Sequence, residues 1–316
     1  MPTKPPRLHL SDTVGIVAPA SPPDRTDAVG RAVAALEDLG FKVKLGRNIR
    51  KRKGFLAGTD EQRASDLMQL FQDTQVRAIF CLRGGYGSAR LLALLDFNCI
   101  RRNPKIFVGY SDITALHGAL LRQASLVTFH GPMLGSDLAK PDADAFTVGS
   151  FLNMVTEPKV CGPIGADRVT NGVTILRRGV ARGRLVGGNL SILCSLLGTP
   201  FMPPFKGAIL FFEEIGEEPY RLDRMLTQLL NAGLLQQLAG VAIGMHINCE
   251  DSEPHRRDSR QTVQDVLRDR LMPLRIPIVM NFPFGHVRKN ATVPLGVRAL
   301  LDGNRGELSF CEPAVR

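Results

Sequence analysis

Residues 105–122 read Lys-Ile-Phe-Val-Gly-Tyr-Ser-Asp-Ile-Thr-Ala-Leu-His-Gly-Ala-Leu-Leu-Arg. Ile106, Phe107 and Val108 form a short apolar run of the kind a buried strand needs, and from Ile113 onward the apolar residues fall at helical spacing. Ser111 stands at the junction. Gly109 before it allows a sharp approach, and Asp112 after it starts the helix with a negative charge at its positive end. A serine lifted out at a strand end, beside free backbone N–H groups, meets two conditions for a nucleophile: exposure, and donors for an oxyanion. Serine is also a good helix N-cap. The stretch departs from the G-x-S-x-G elbow, because Ile113 stands where the second glycine would fall. On this stretch alone both readings stand.

The same strand-then-helix unit recurs on either side. Residues 14–20 read as a first buried strand, 27–39 as a helix stopped by Gly40, and 41–45 as a second strand. Thr59, with Gln62 three residues on, predicts a capping box for a helix reaching about Phe71. Residues 76–82 read as a third strand, followed by Arg83-Gly84-Gly85-Tyr86-Gly87-Ser88 and another helix, and 126–130 as a shorter strand. The alternation predicts an α/β domain over 1–157, a parallel sheet with helices on both faces. Residues 158–183 are rich in Gly, Val, Arg and Pro, lack helical periodicity, and read as a linker. A second domain over 184–316 is expected, with helices at 189–197 and 222–230. Its strands are expected at 208–212, 241–244 and 276–280, with a final pair within 297–310.

A chain of 316 residues can bury a large core, more readily as two domains than one. The basic start, Met1 to Arg7, is followed by no apolar h-region, and no run is long enough to span a bilayer; the expected location is the cytoplasm. The cysteines, Cys81, Cys99, Cys161, Cys194, Cys249 and Cys311, are scattered without a C-x-x-C pair and read as packing residues. The six histidines show no H-E-x-x-H spacing, so no metal is expected. The formal net charge of +10 raises nucleic-acid binding. However, Lys and Arg are dispersed apart from Arg50-Lys51-Arg52-Lys53 and Arg256-Arg257, aromatics are few, and Trp is absent. A solvated basic surface, suited to a small anionic substrate, is the expectation, with no nucleic acid as partner.

Three further features carry chemistry. The Arg83–Gly87 turn lies between a strand and a helix, where bare N–H groups can point at an anion. Arg90 occupies the place of a third glycine, which disfavours a dinucleotide. A serine nucleophile also needs a base and an orienting acid. His286, in the Pro283–Gly285 turn past a predicted strand, can project into a cleft, and His130 at another strand end competes with it. His117 lies on the same helix as Ser111 and faces another side, while His246 and His255 lie near a polar loop. For the acid, Glu213 continues the buried run 208–212, whereas Glu214, Glu217 and Glu218 also suit a solvated loop.

In order along the chain, several segments together resemble the LD-carboxypeptidase, or muramoyltetrapeptide carboxypeptidase, family of serine peptidases. They are Val14-Gly15-Ile16-Val17-Ala18-Pro19-Ala20, Phe55-Leu56-Ala57-Gly58-Thr59-Asp60, Arg83-Gly84-Gly85-Tyr86-Gly87, Gly109-Tyr110-Ser111-Asp112 and His130-Gly131-Pro132. They continue with Gly187-Gly188-Asn189, Phe212-Glu213-Glu214-Ile215-Gly216-Glu217, Tyr220-Arg221-Leu222-Asp223-Arg224 and Phe282-Pro283-Phe284-Gly285-His286. The resemblance implies a Rossmann-like N-terminal domain carrying the serine and a β-rich, barrel-like C-terminal domain carrying the other two residues of a triad. It implies Ser111 as nucleophile, Glu213 as acid and His286 as base, with an oxyanion hole from the N–H groups of Asp112 and Gly85. Arg83 and Tyr86 are the residues expected to touch substrate. It further implies a homodimer without metal or organic cofactor, releasing D-alanine from murein tetrapeptides in cytoplasmic cell-wall recycling. Glu214 departs from the aspartate many members carry there. A branch of the family cleaves microcin C-type acyl-adenylates, often with a tryptophan on the base; this chain has no Trp, and residues 159–184 contain no aromatic. A non-catalytic module that binds anionic ligands is the remaining expectation, and the intact Ser/Glu/His set speaks against it.

Overall fold

The apolar runs pair into two sheets that share one continuous core. The structure, a computed structural model, describes residues 1–165, 172–250 and 261–316. The first part comprises β1 (Thr13–Val17), α1 (Ala28–Asp38), β2 (Lys42–Leu45), α2 (Asp60–Gln72), β3 (Val76–Cys81), α3 (Phe97–Arg102), β4 (Ile106–Gly109), α4 (Thr114–Ala124), β5 (Thr128–His130) and α5 (Ala145–Thr156). The second comprises β6 (Thr174–Arg177), β7 (Val180–Asn189), α6 (Leu190–Ser195), β8 (Ile209–Ile215), α7 (Pro219–Asn231), β9 (Gly240–Ile247) and α8 (Val263–Leu271). It ends with β10 (Ile278–Phe282), β11 (Val293–Leu295), β12 (Arg298–Asp302) and β13 (Glu307–Phe310).

The first sheet has the order β11-β5-β4-β3-β1-β2 and is parallel except for β11. Every residue of β4, and all of β3 but Arg77, is buried, the pattern of strands covered on both faces. The capping box on α2 is present: Gln62 N donates to Thr59 Oγ1 at 3.2 Å, and Thr59 N to Gln62 Oε1 at 2.9 Å. The second sheet has the order β13-β12-β7-β8-β9-β10-β6, with four parallel strands in the middle, and curls into half a barrel.

Some elements differ from the sequence reading. The 158–183 stretch expected as a linker holds β6 and the start of β7, and β6 pairs with β10 at a sheet edge. Its half-exposed side chains and glycines blur the period-2 signal a strand would show. β11, expected within the second domain, returns to the first sheet beside β5. The element after the glycine turn is a 3₁₀ helix, Ser88–Leu94, rather than an α-helix. α5 and α8 are helices additional to those the sequence pattern predicts. Asp144 caps α5 by accepting from Phe146 N at 3.0 Å, and Thr262 and Asp265 cap α8 reciprocally with Asp in place of the usual Glu or Gln. β8 runs on through Glu213 and Glu214. His255 and the Arg256-Arg257 pair lie outside the described residues.

The two sheets meet beside Ser111. Asn189 N, at the end of β7, donates to Thr114 Oγ1, the first residue of α4, at 2.9 Å. Gly188 has φ +135°, and a Cβ there would lie 2.4 Å from Thr114 Oγ1, so only glycine lets β7 seat on α4 so closely. Asn189 is in register with Glu213 on the neighbouring β8. Glu213 is therefore one strand from the strand docked against α4, the helix that follows Ser111.

Candidate active site

Ser111 lies between β4 and α4 with φ +63°, a left-handed conformation uncommon for a residue with a side chain. Such backbone strain persists only where packing over-determines it. Gly109 supplies part of that packing, because a Cβ there would lie 3.0 Å from Ile113 Cγ1 and 3.2 Å from Cys81 Cβ. The buried Ile113 side chain fills the space that Gly109 leaves open. The turn thus has a strained elbow although the second glycine of the sequence pattern is absent.

The glycine turn after β3 is fixed from several sides. Ser21 N donates to Gly84 O at 3.2 Å, and Tyr86 N donates to Ser21 Oγ at 3.1 Å. The wholly buried Arg63 donates to Gly87 O at 2.9 Å and to Pro19 O, and pairs with Asp60. Ser88 N donates to Asp112 Oδ2 at 2.8 Å, and Ser88 Oγ to Asp112 O at 2.5 Å. Burial pushes the Asp112 carboxyl above its usual range despite these donors. A Cβ on Gly84 would lie 3.0 Å from Ser111 Cβ and 3.2 Å from Oγ. On Gly85 (φ +103°) it would instead meet Ser21 Oγ at 2.4 Å. The residue packed on Ser111 is Gly84, which the sequence reading did not single out; Arg63 and Ser21 were also missed, and only the buried contacts reveal them.

His286 Nδ1 lies 2.6 Å from Glu213 Oε2, and Glu213 is fully buried. Gly285 has φ +108°, and a Cβ there would lie 2.7 Å from Glu213 Cβ, so the carboxylate stem rests on bare backbone. Tyr110 packs edge-on to the imidazole with ring centroids 5.0 Å apart. Burial pulls the His286 pKa down, but the hydrogen bond and charge of Glu213 outweigh it and hold the pKa above the ordinary histidine value. With Nδ1 engaged, Nε2 is the nitrogen left to exchange a proton.

Ser111, Gly84, Gly85, Arg83 and His286 line one cavity of about 240 Å³, together with Arg25 and Arg31. Arg83 is ion-paired with Asp24 and half-buried. Tyr86 does not line this cavity; it is exposed and packs edge-on to Phe55 at 5.5 Å. A second cavity of about 360 Å³ shares Tyr110, Ser136 and His286 with the first and carries the cleft on past Lys140, Asp142 and Arg288.

The other candidates are placed elsewhere. His130 is wholly buried among Tyr110, Phe211 and Phe284, with neither ring nitrogen hydrogen-bonded, and burial holds its pKa well below the ordinary value. His117 is buried between Gly109 O at 2.8 Å and Thr128 Oγ1 at 2.9 Å, and burial lowers it to about 4. His246 belongs to β9, not to a polar loop, and packs edge-on to Phe212. Glu214 points away from His286 and accepts from Asn189 Nδ2, Ser191 N and Ile215 N at 2.7–2.9 Å. Burial raises it to about 7 against those donors. Glu217 pairs with Arg221 at 3.6 Å. No group of three or more His, Cys, Asp or Glu suited to a metal occurs among the described residues, and no helix there is long and apolar enough to cross a membrane.

Most of each sheet falls in regions that match known proteins. Residues 14–131 match the LD-carboxypeptidase N-terminal domain and residues 182–301 the LD-carboxypeptidase C-terminal domain. A probable murein peptide carboxypeptidase of Bacillus subtilis is 42% identical over 299 residues, covering 95% of this chain and 91% of the relative. The muramoyltetrapeptide carboxypeptidase structure from Oxalobacter formigenes superposes with TM-score 0.82 at 32% identity, covering 94% of this chain and 97% of that one. The microcin C7 self-immunity protein MccF, solved with aspartyl sulfamoyl adenosine, superposes with TM-score 0.89 at 26% identity over the whole of both chains. The chain belongs to the LD-carboxypeptidase family and is a serine hydrolase acting on a peptide-type substrate.

Proposed function

We propose that this enzyme hydrolyses the bond between an L-centre and a C-terminal D-residue, releasing D-alanine from murein tetrapeptides. The observation that carries it is the His286–Glu213 pair opening on the cavity that holds the strained Ser111. Ser111 Oγ attacks the scissile carbonyl while His286 Nε2 takes its proton, later returning it to the leaving amine. Glu213 fixes the ring and stabilises the imidazolium. The N–H groups of Asp112 and Gly85 receive the oxyanion. Gly84 O is turned toward Ser21 N, so the Gly85 N–H of the same trans peptide points the opposite way. Arg83, Arg25 and Arg31 make the cavity suited to a substrate's free terminal carboxylate. The 42% identity to a relative named for murein peptides supports this substrate class. The working form in this reading is a cytoplasmic homodimer.

A second reading is hydrolysis of a microcin C-type acyl-adenylate. The match to MccF over the whole of both chains favours it, and the neighbours' ligand complexes, with aspartyl sulfamoyl adenosine and adenosine monophosphate, back it more directly than they back murein. The exposed Phe55–Tyr86 pair beside the glycine turn offers a ring face for a base. Against it stand the absence of Trp and of any aromatic residue over 159–184. Incubation with a murein tetrapeptide and, separately, with a microcin C-type acyl-adenylate, both read by mass spectrometry, tests the two. Free D-alanine from the first with the second intact supports the murein reading; cleavage of the second alone replaces it with the acyl-adenylate reading.

A further inference from the structure

A third cavity, of about 710 Å³, lies at the opposite end of the second sheet. It is walled by the start of β7, the turn into β8, β12, the end of α4 and the chain's first residues. Five cationic side chains line it: Arg122, Arg182, Arg184, Lys206 and Arg298. Its volume lies in the range of small-molecule sites. Ala208, on its wall, immediately precedes β8, and Glu213 lies five residues farther along the strand, roughly 16 Å away at strand rise. Arg122 is near the far end of α4, and Ser111 lies in the turn before its start, roughly the same distance away at helical rise. The cavity is therefore separate from the catalytic cleft.

The charges are set against one another by register. Arg182 and Arg184 are two apart on β7 and so share one face of the sheet. Arg298 on β12 is directly opposite Arg184 in the antiparallel pair, on that same face. Like charges directly opposite each other destabilise a strand pair. Among the described residues, the carboxylate ion-paired with this group is Glu312, which lies 3.7 Å from Arg184 and 3.1 Å from Lys4 and accepts from Arg298 N at 2.7 Å. Among the described residues, Arg122, Arg182, Lys206 and Arg298 have no carboxylate partner. Four cations without partners around one concavity are more than a single carboxylate neutralises, whereas a diphosphate carries several charges on oxygens that guanidinium forks bind in pairs.

We propose that this cavity is a binding site for a small polyanion bearing two or more phosphate groups, bridging Arg122 of the first domain to Arg182, Arg298 and Lys206 of the second. The ligand lies between elements of both domains, so occupancy ties α4 to the second sheet without touching Ser111.

The test is calorimetric titration of the full chain with inorganic pyrophosphate, without divalent cations and at matched ionic strength against sulfate. One pyrophosphate should bind per chain, at least about tenfold more tightly than sulfate, and added KCl should weaken it. Arg182→Gln with Arg298→Gln should weaken binding about 100-fold through two lost charge-assisted contacts, while Arg83→Gln in the catalytic cleft should leave it unchanged. Circular dichroism checks the fold of the double variant, and the exposed Lys206→Gln, expected to cost about tenfold, serves if that variant unfolds. Pyrophosphate binding no better than sulfate, unchanged binding in these variants, or loss of binding in Arg83→Gln overturns the proposal.

Discussion

Glu213 and Glu214 are adjacent in β8 and turn to opposite sides: Glu213 meets His286 Nδ1 at 2.6 Å, and Glu214 meets Asn189 Nδ2 at 2.7 Å. Strand alternation separates them, giving one carboxylate to the imidazole and the other to the N-terminus of α6.

That separation predicts two different failures. Glu213→Gln keeps the shape but removes the charge and favours the wrong tautomer, so kcat should fall roughly 10⁴-fold with little change in melting. Glu214→Gln turns an acceptor toward donors into a donor, and should cost about 1–3 kcal/mol of stability, with kcat lowered about tenfold or less. Steady-state kinetics and thermal melts of the two variants check this; a mild Glu213→Gln would place the acid elsewhere.

The pH dependences have opposite causes. His286 is held above its ordinary value, so the acid limb of kcat/KM should lie above the free-histidine pKa of about 6.5, activity being lost as the ring protonates. The same shift stabilises the fold fully below the unfolded value and is lost as pH rises through the raised one. In Glu213→Gln the hydrogen bond and charge that raise it most are gone, burial is opposed only by the charges of Glu214 and Asp137, and the limb of the residual activity should move down. Glu214, raised to about 7 by burial, likewise favours the protonated folded state. Its contribution is complete below the ordinary glutamate range and is lost as pH rises toward 7. Melting curves across pH 4–8 should lose that component in Glu214→Gln.

Gly84 is the glycine whose side-chain space Ser111 occupies. Gly84→Ala pushes a methyl to within 3.0 Å of Ser111 Cβ and should lower kcat about 100-fold by displacing the nucleophile, with a smaller effect on melting. Gly85→Ala should act through the turn instead, because that position has φ +103° and faces Ser21. Comparing kcat with melting temperature in the two variants separates these effects.

The φ of +63° at Ser111 has its own signature. Glycine tolerates that conformation and alanine does not, so the inactive Ser111→Gly should be more stable than the inactive Ser111→Ala by about 1 kcal/mol. Equal denaturant midpoints would show that the elbow stores no strain.

The sequence made the first sheet legible because most of its strands are short apolar runs with a glycine at or close behind their ends, as at Gly109 and Gly131, and because Thr59 marks the start of α2 between two of them. The serine, the histidine turn and Glu213 were legible for a related reason: each stands where a buried run ends or continues. What was hidden depends on contacts distant in sequence. β11 looks like part of the second domain until it pairs with β5, and Gly84 and Gly85 are alike in sequence until Ser111 and Ser21 take opposite sides of the turn. β6 was hidden because an edge strand with half-exposed residues has no apolar period to display.

In the proposed mechanism Ser111 carries the acyl group. Rapid-quench mass spectrometry of the enzyme during turnover of a murein tetrapeptide tests it most directly. A transient acyl adduct should form on the peptide containing Ser111 as D-alanine is released, and Ser111→Ala should lose on the order of 10⁶ in kcat. D-Alanine release without an adduct, at a rate that Ser111→Ala retains to within about tenfold, would contradict it.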